Sequence, residues 1–166
     1  MHERRGFTGE EAARLLRLKP HQIADLVDRG FLRASVWRGR RGPKGSRLFS
    51  MFDLIAIRSA HELIRIGVVG DRLRRACRRL RDLERRRLRR ALLLVTHAGE
   101  VLHVPNRSEL LALLQHQQRP VGHVVLDVER IAQQVETMVD RQGALSAGVG
   151  RARSTLAGRM RSRDAH

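Results

Sequence analysis

Between Phe7 and Leu83 the apolar residues fall at helical spacing in short runs separated by polar breaks. Ala12, Leu15 and Leu16 recur at i, i+3 and i+4, and Thr8 is followed three residues later by Glu11. That pair is a capping-box pattern, in which hydroxyl and carboxylate each satisfy an orphan backbone donor, so a first short helix is predicted. After Arg17-Leu18-Lys19, Pro20 suits the first turn of a second helix whose buried stripe is Ile23, Leu26 and Val27. Gly30 is placed to end it in the left-handed conformation before Phe31-Leu32 resumes a buried run. Two short helices joined by a tight turn describe a helix-turn-helix.

Val36-Trp37 and Arg47-Leu48-Phe49 then read as two short strands around Arg38 to Ser46, whose three glycines and one proline exclude regular structure. This is the pattern of a wing, with Arg38, Arg40, Arg41 and Lys44 as cations on a loop beside the second helix. Ser50 is placed to cap a third helix, apolar at Phe52, Leu54, Ile55, Ile57, Leu63, Ile64 and Ile66 and ended by Gly67. Phe7, Phe31, Phe49 and Phe52 are expected to anchor one core. Asp71 is placed to cap a fourth helix running past Arg90, with Leu73, Ala76, Cys77, Leu80 and Leu83 as its stripe and arginine on its other faces.

From Ala91 the pattern changes. Leu92 to Thr96 and Val101 to Val104 read as strands joined by a hairpin at His97-Ala98-Gly99-Glu100. Ser108 is placed to cap a helix through Gln115, Pro120 and Gly122 lead to a strand at Val124-Val125-Leu126, and Asp127 is placed to cap a last helix. The order β-β-α-β-α predicts a small module whose helices cover one face of a short sheet. The expected fold is mainly α, with an N-terminal winged helix-turn-helix domain and basic fourth helix over 1–90, the α+β module over 91–141, and a basic, disordered tail over 142–166.

Charge sharpens this division. Residues 1–50 carry +7, 51–90 carry +8, 91–140 carry −3 and 141–166 carry +5, within a total of +17. Eleven arginines lie between Arg72 and Arg90, and like-charge neighbours such as Arg74/Arg78 and Arg85/Arg89 would repel on a helix by a few tenths of a kcal/mol each. Phosphates alongside would remove that repulsion, so with a winged helix directly upstream this face is expected to meet phosphates or an acidic partner, the alternative being a merely solvated face. With 3% aromatic residues and no tyrosine, a stacking platform for single strands is not expected.

The helix-turn-helix closing in Arg29-Gly30-Phe31-Leu32, the wing leaving through Ser46-Arg47-Leu48-Phe49-Ser50 into Asp53-Leu54, and His61 to Gly67 followed by a basic helix resemble the bacterial mercury-resistance-regulator (MerR) family of winged helix-turn-helix transcription regulators. The resemblance covers roughly the first half of the chain. It implies a DNA-binding domain whose second helix enters the major groove while the wing touches the flanking backbone. Carried over by position, it puts Lys19, His21 and Gln22 near DNA from the helix, and Arg38, Arg40, Arg41, Lys44 and Arg47 near it from the wing; the arginines of the fourth helix, Arg72 and Arg75 among them, are expected on phosphates from their charge. Trp37 either packs at the base of the wing or lies against a sugar or a partner. Gln22 is the best base reader by chemistry, since its amide can pair bidentately with adenine.

The departures are as specific as the matches. Family members often place Arg and Tyr where this chain has Ala24, Asp25 and Leu26, so the usual mid-helix phosphate contacts are absent, and the long terminal helix through which members commonly dimerise is missing. Excisionase-like relatives share the first helices and wing. The competing readings are therefore an architectural or recombination-accessory protein, and an adaptor whose basic half grips an acidic protein.

A homodimer is expected because operators are usually read twice, with RNA polymerase or another transcription factor as a further candidate partner. No catalytic role is expected: neither a P-loop, a dinucleotide fingerprint nor a nucleophile elbow is present. His97, His103, His116 and His123 with Asp127 match no compact metal-ligand spacing, so no metal and no cofactor are expected. The single cysteine, Cys77, excludes an intramolecular disulfide. No apolar run approaches the ~18 residues of a membrane span, and the N-terminus leads into no signal-like core, so the expected location is the cytoplasm, at the nucleoid.

Overall fold

Thr8 and Glu11 exchange the two hydrogen bonds that open the first helix: the Thr8 N–H donates to Glu11 Oε2 at 2.9 Å, and the Glu11 N–H to Thr8 Oγ1 at 3.2 Å. A computed structural model of the chain describes residues 6–37, 47–83, 85–116 and 123–143. The expected wing residues Arg38, Arg40, Arg41 and Lys44, residues 1–5 and the tail from 144 onward lie outside the described residues.

Helix α1 (Gly9–Leu16) buries Ala12, Leu15 and Leu16 as their spacing requires and ends at Arg17, a non-glycine residue held in the left-handed region. Helix α2 (Pro20–Asp28) begins on its proline and buries Ile23 and Leu26. Gly30 stands at φ +71°, letting the Phe31 and Leu32 N–H groups both return to the Leu26 carbonyl. Strands β1 (Val36–Trp37) and β2 (Arg47–Leu48) pair antiparallel, and Phe7 and Phe49 exchange hydrogen bonds of 2.8 Å beside them.

The root of this hairpin is tied to α3 (Met51–Arg65) by one carboxylate. Asp53 Oδ2 accepts from the Ser35 N–H at 2.9 Å, the Ser35 hydroxyl at 2.6 Å and the Ser50 N–H at 2.7 Å. The Asp53 N–H in turn donates to Ser50 Oγ, so the cap of α3 also fixes the approach to β1.

Helix α4 (Gly70–Asp82) turns Leu73, Ala76, Cys77 and Leu80 inward. Two expectations about it fail. Its N-cap is Val69, with Asp71 inside the first turn, because the backbone turns at Gly67 and Gly70, both at positive φ. The helix also does not run past Arg90: Leu83 is extended, a four-residue turn α5 (Arg85–Leu88) follows, and Leu88 and Ala91 are buried. Burying them takes precedence over continuing a helix of like charges, and pairs such as Arg85/Arg89 are no longer neighbours on one helix.

Strands β3 (Leu92–Val95), β4 (Val101–Val104) and β5 (Val124–Asp127) form an antiparallel sheet in the order β4-β3-β5. Helix α6 (Arg107–His116) is opened by Asn106 rather than Ser108: Asn106 Oδ1 accepts from the Glu109 N–H, and its amide donates to Glu109 Oε1. Asp127 does cap the last helix, α7 (128–143), accepting from the Arg130 N–H at 2.9 Å.

The sheet is covered on both faces, not one. Leu92, Leu94 and Val104 meet Leu110 and Leu114 of α6, while Leu93, Val95 and Leu126 join the core made by α1 to α4. Val128, Ile131, Val135 and Val139 of α7 belong to that same core. The boundary expected near residue 90 is thus one of charge and secondary structure; the buried cluster runs across it. Among the described residues the architecture is mainly helical, with a small three-stranded antiparallel sheet and the two-stranded β1–β2 pair.

Candidate nucleic-acid interface

The leading end of α2 is open. Lys19 and His21 are exposed, while Gln22 is half-buried with its side chain engaged: Oε1 accepts from the Lys19 N–H at 2.8 Å. This satisfies an N-terminal donor of the helix and occupies one of the two lone pairs of Oε1, leaving the Gln22 NH2 group unengaged by the cap. Bidentate pairing with adenine, expected from sequence, requires Oε1 to accept a second hydrogen bond or the cap to open. The rest of the exposed α2 surface carries Asp25 and Asp28, with no cation within the helix. His21, Gln22, Asp25 and Arg29 also border a groove of about 400 Å³ floored by Phe31 and Leu73.

Trp37 and Arg47 are register partners in the β1–β2 pair. The root of that hairpin adjoins α4 and α5, since Arg33, Ser35, Asp53, Arg81 and Leu88 line one cavity of about 260 Å³. Two turns of α4 further back, the Arg74 guanidinium lies over the Phe31 ring at 5.2 Å from its centroid. Arg74, Arg78 and Arg81 share a helix flank at i, i+4 and i+7, and this flank runs from the end of α2 to the root of the hairpin; Arg33 stands beside it. All four side chains are exposed.

Arg72 and Arg75, expected on phosphates, occupy the opposite flank. Arg75 Nη1 donates to the Gly99 carbonyl at 3.3 Å, and the Arg72 side chain packs on the same turn of the β3–β4 hairpin. Arg89 is likewise engaged, 3.1 Å from Glu136 of α7 and over the Phe52 ring of α3. The arginine run therefore divides into side chains that hold neighbouring elements together, such as Arg75 and Arg89, and side chains exposed on the other flank of α4, such as Arg74, Arg78 and Arg81. The stripe Leu73, Ala76, Cys77, Leu80 fixes the inward face of α4, but no feature of the sequence says which flank meets the sheet, so which arginines stay exposed is legible only in the fold.

Two groups on the helical side have shifted titration. Burial lowers the His61 pKa, assisted by Arg58 and opposed by Glu62. Burial pushes the Cys77 thiol up to about 12, so it is an inert apolar side chain rather than a reactive thiolate.

No family model matches this chain, and no curated protein matches it significantly.

Proposed function

We propose that the chain is a sequence-specific, double-stranded-DNA-binding transcription regulator of the MerR-like class, with α1 and α2 as a helix-turn-helix and the β1–β2 hairpin as its wing. The observation that carries this reading is the exposed line of Arg33, Arg74, Arg78 and Arg81 between the end of α2 and the hairpin root. These cations position the protein on phosphates, as most protein–DNA hydrogen bonds do. Lys19 and His21, at the open end of α2, reach base edges, and Gln22 donates from its amide to an acceptor such as guanine O6 or thymine O4. The hairpin cations Arg38, Arg40, Arg41, Lys44 and Arg47 touch the flanking backbone.

Two half-sites call for two copies, so the working species is a homodimer, with residues 91–141 supplying the dimerisation or effector surface. No helix among the described residues is long and apolar enough to cross a membrane. Work at the nucleoid accords with the +17 charge.

A mobility-shift titration tests the assignment. Contact with six to ten phosphates predicts a loss of about 10³ to 10⁵ in affinity between 50 and 200 mM salt. A flat salt response, or equal affinity for every promoter fragment and random DNA, removes it.

A further inference from the structure

Strand β5 forms one edge of its sheet, and its outer side has no strand partner among the described residues. Which of its backbone groups face outward follows from the ladder. The Val128 N–H donates to the Ala91 carbonyl at 3.0 Å, and Leu92 lies opposite Asp127. Bonded and non-bonded pairs alternate in an antiparallel ladder, so Leu126 and Val124 also bond to β3, while the N–H and carbonyl of Val125 point away from it. An open edge of this kind is a template for another strand.

A groove of about 600 Å³ runs along this edge, with α3 as its far wall and α7 at its end, lined among others by Arg58, His61, Arg65, Val125, Asp127 and Arg130. Its carboxylates are already taken. Glu62 is divided between Arg58 at 2.9 Å and Arg65 at 3.1 Å, and Asp127 receives the Arg107 guanidinium and the Arg130 N–H. Arg58 Nε is buried with no hydrogen-bond partner among the described residues. Arg65 and Arg130 are exposed at the rim. The groove thus offers a strand edge, the exposed apolar side chains Ile66 and Val125, and surplus guanidinium charge.

We propose that this groove binds an extended acidic segment of a partner protein, added to the sheet as a strand on β5. The main chain of the segment exchanges two hydrogen bonds with Val125, and its carboxylates pair with Arg65 and Arg130. Backbone pairing supplies affinity and the arginines supply selectivity, as in other strand-addition sites. A second copy of the chain fits less well, because pairing β5 with itself brings Arg58, Arg65 and Arg130 against their own duplicates. The inference stands apart from DNA binding, since none of these residues belongs to the α2 and α4 surface.

The test uses the full chain, 15N-labelled, titrated with a capped octapeptide of alternating Glu and Val. Binding should shift the Val125 and Asp127 amides and slow hydrogen exchange at Val125. The Arg65→Gln/Arg130→Gln variant, altered only at exposed side chains, should bind about tenfold more weakly, as expected for losing charge-assisted contacts, with its DNA affinity retained. A peptide N-methylated along its backbone, equal in charge, should not bind. Equal binding of the methylated peptide, or shifts confined to Arg74, Arg78 and Arg81, would reduce the effect to general charge attraction and overturn the proposal. Val125 exchange already slow in a peptide-free dimer would overturn it in favour of a second copy.

Discussion

Arg75 reaches from α4 to the main-chain oxygen of Gly99, 3.3 Å away, and so clamps the β3–β4 hairpin to the helical half of the molecule. Gly99 stands at φ +84°, and a Cβ there would come within 3.1 Å of Arg75 Nη1 and 3.2 Å of Arg72 Cγ. The glycine answers two demands, backbone conformation and the closeness of α4.

Separating those demands gives the first expected outcome. Gly30 shares the left-handed conformation at φ +71° but has open space around its Cα. Gly30→Ala should therefore cost only the conformational strain, about 1 kcal/mol, whereas Gly99→Ala adds crowding against α4 and should cost more. Urea denaturation of the two variants decides it; equal losses would mean that α4 gives way without cost.

The two flanks of α4 should respond differently to neutralisation. Arg78 is exposed on the flank next to α2, so Arg78→Gln should leave the denaturation midpoint unchanged and lower the salt slope of DNA binding by about 0.9. Arg75→Gln should do the reverse, lowering stability by about 1 kcal/mol through loss of a charge-assisted bond to Gly99, with little change in slope. If Arg75→Gln alone changed the slope, the wrong flank has been assigned to DNA.

These contrasts also show what the sequence could disclose. Local rules carried far: Thr8/Glu11, Pro20, Gly30 and Ser50/Asp53 mark helix ends through contacts within a few residues, and each stands where its chemistry places it. What failed depended, one local competition between caps aside, on contacts distant along the chain. The end of α4 at Asp82 is set by burial of Leu88 and Ala91, the displacement of Ser108 by Asn106 by a competition between equally good caps, and the role of Arg75 by a hairpin twenty-four residues on. The step from basic to acidic sequence near residue 90 suggested two bodies because charge records the surface, while the core shared by Leu80, Leu93 and Val135 is uncharged and continuous.

Stability should fall on mild acidification, and the direction follows from two histidines. Burial lowers the pKa of His61, with Arg58 and Arg65 adding to the effect and Glu62 opposing it; burial also lowers that of His103, with Arg79 and Arg87 adding and Glu109 opposing. A histidine whose folded pKa lies below its unfolded value binds fewer protons when folded. Its contribution is undiminished above the ordinary value near 6.5, and stability is lost as pH falls from there to the lowered folded value. Denaturation midpoints should therefore drop between pH 7.5 and 5.5, and the His61→Gln/His103→Gln variant should flatten that drop. An unchanged slope in the double variant would place the acid sensitivity elsewhere.

Asp25 and Asp28 pose the sharpest question about the proposed DNA surface, since both are exposed on the helix assigned to the major groove. Two physical effects compete. Carboxylates within a Debye length of phosphates, about 10 Å at 0.1 M salt, repel them, but an aspartate at a base edge can accept from cytosine N4. Readout of cytosine needs the side chain close to the base, which favours the leading end of a recognition helix, whereas Asp25 and Asp28 lie in the later turns of α2. Repulsion should dominate, so Asp25→Asn/Asp28→Asn should tighten binding at 50 mM salt, with a gain that fades as salt is raised and no change in the preferred sequence. Weaker binding together with lost discrimination at a cytosine would show that these side chains read bases, and the leading end of α2 would then no longer be the part inserted most deeply.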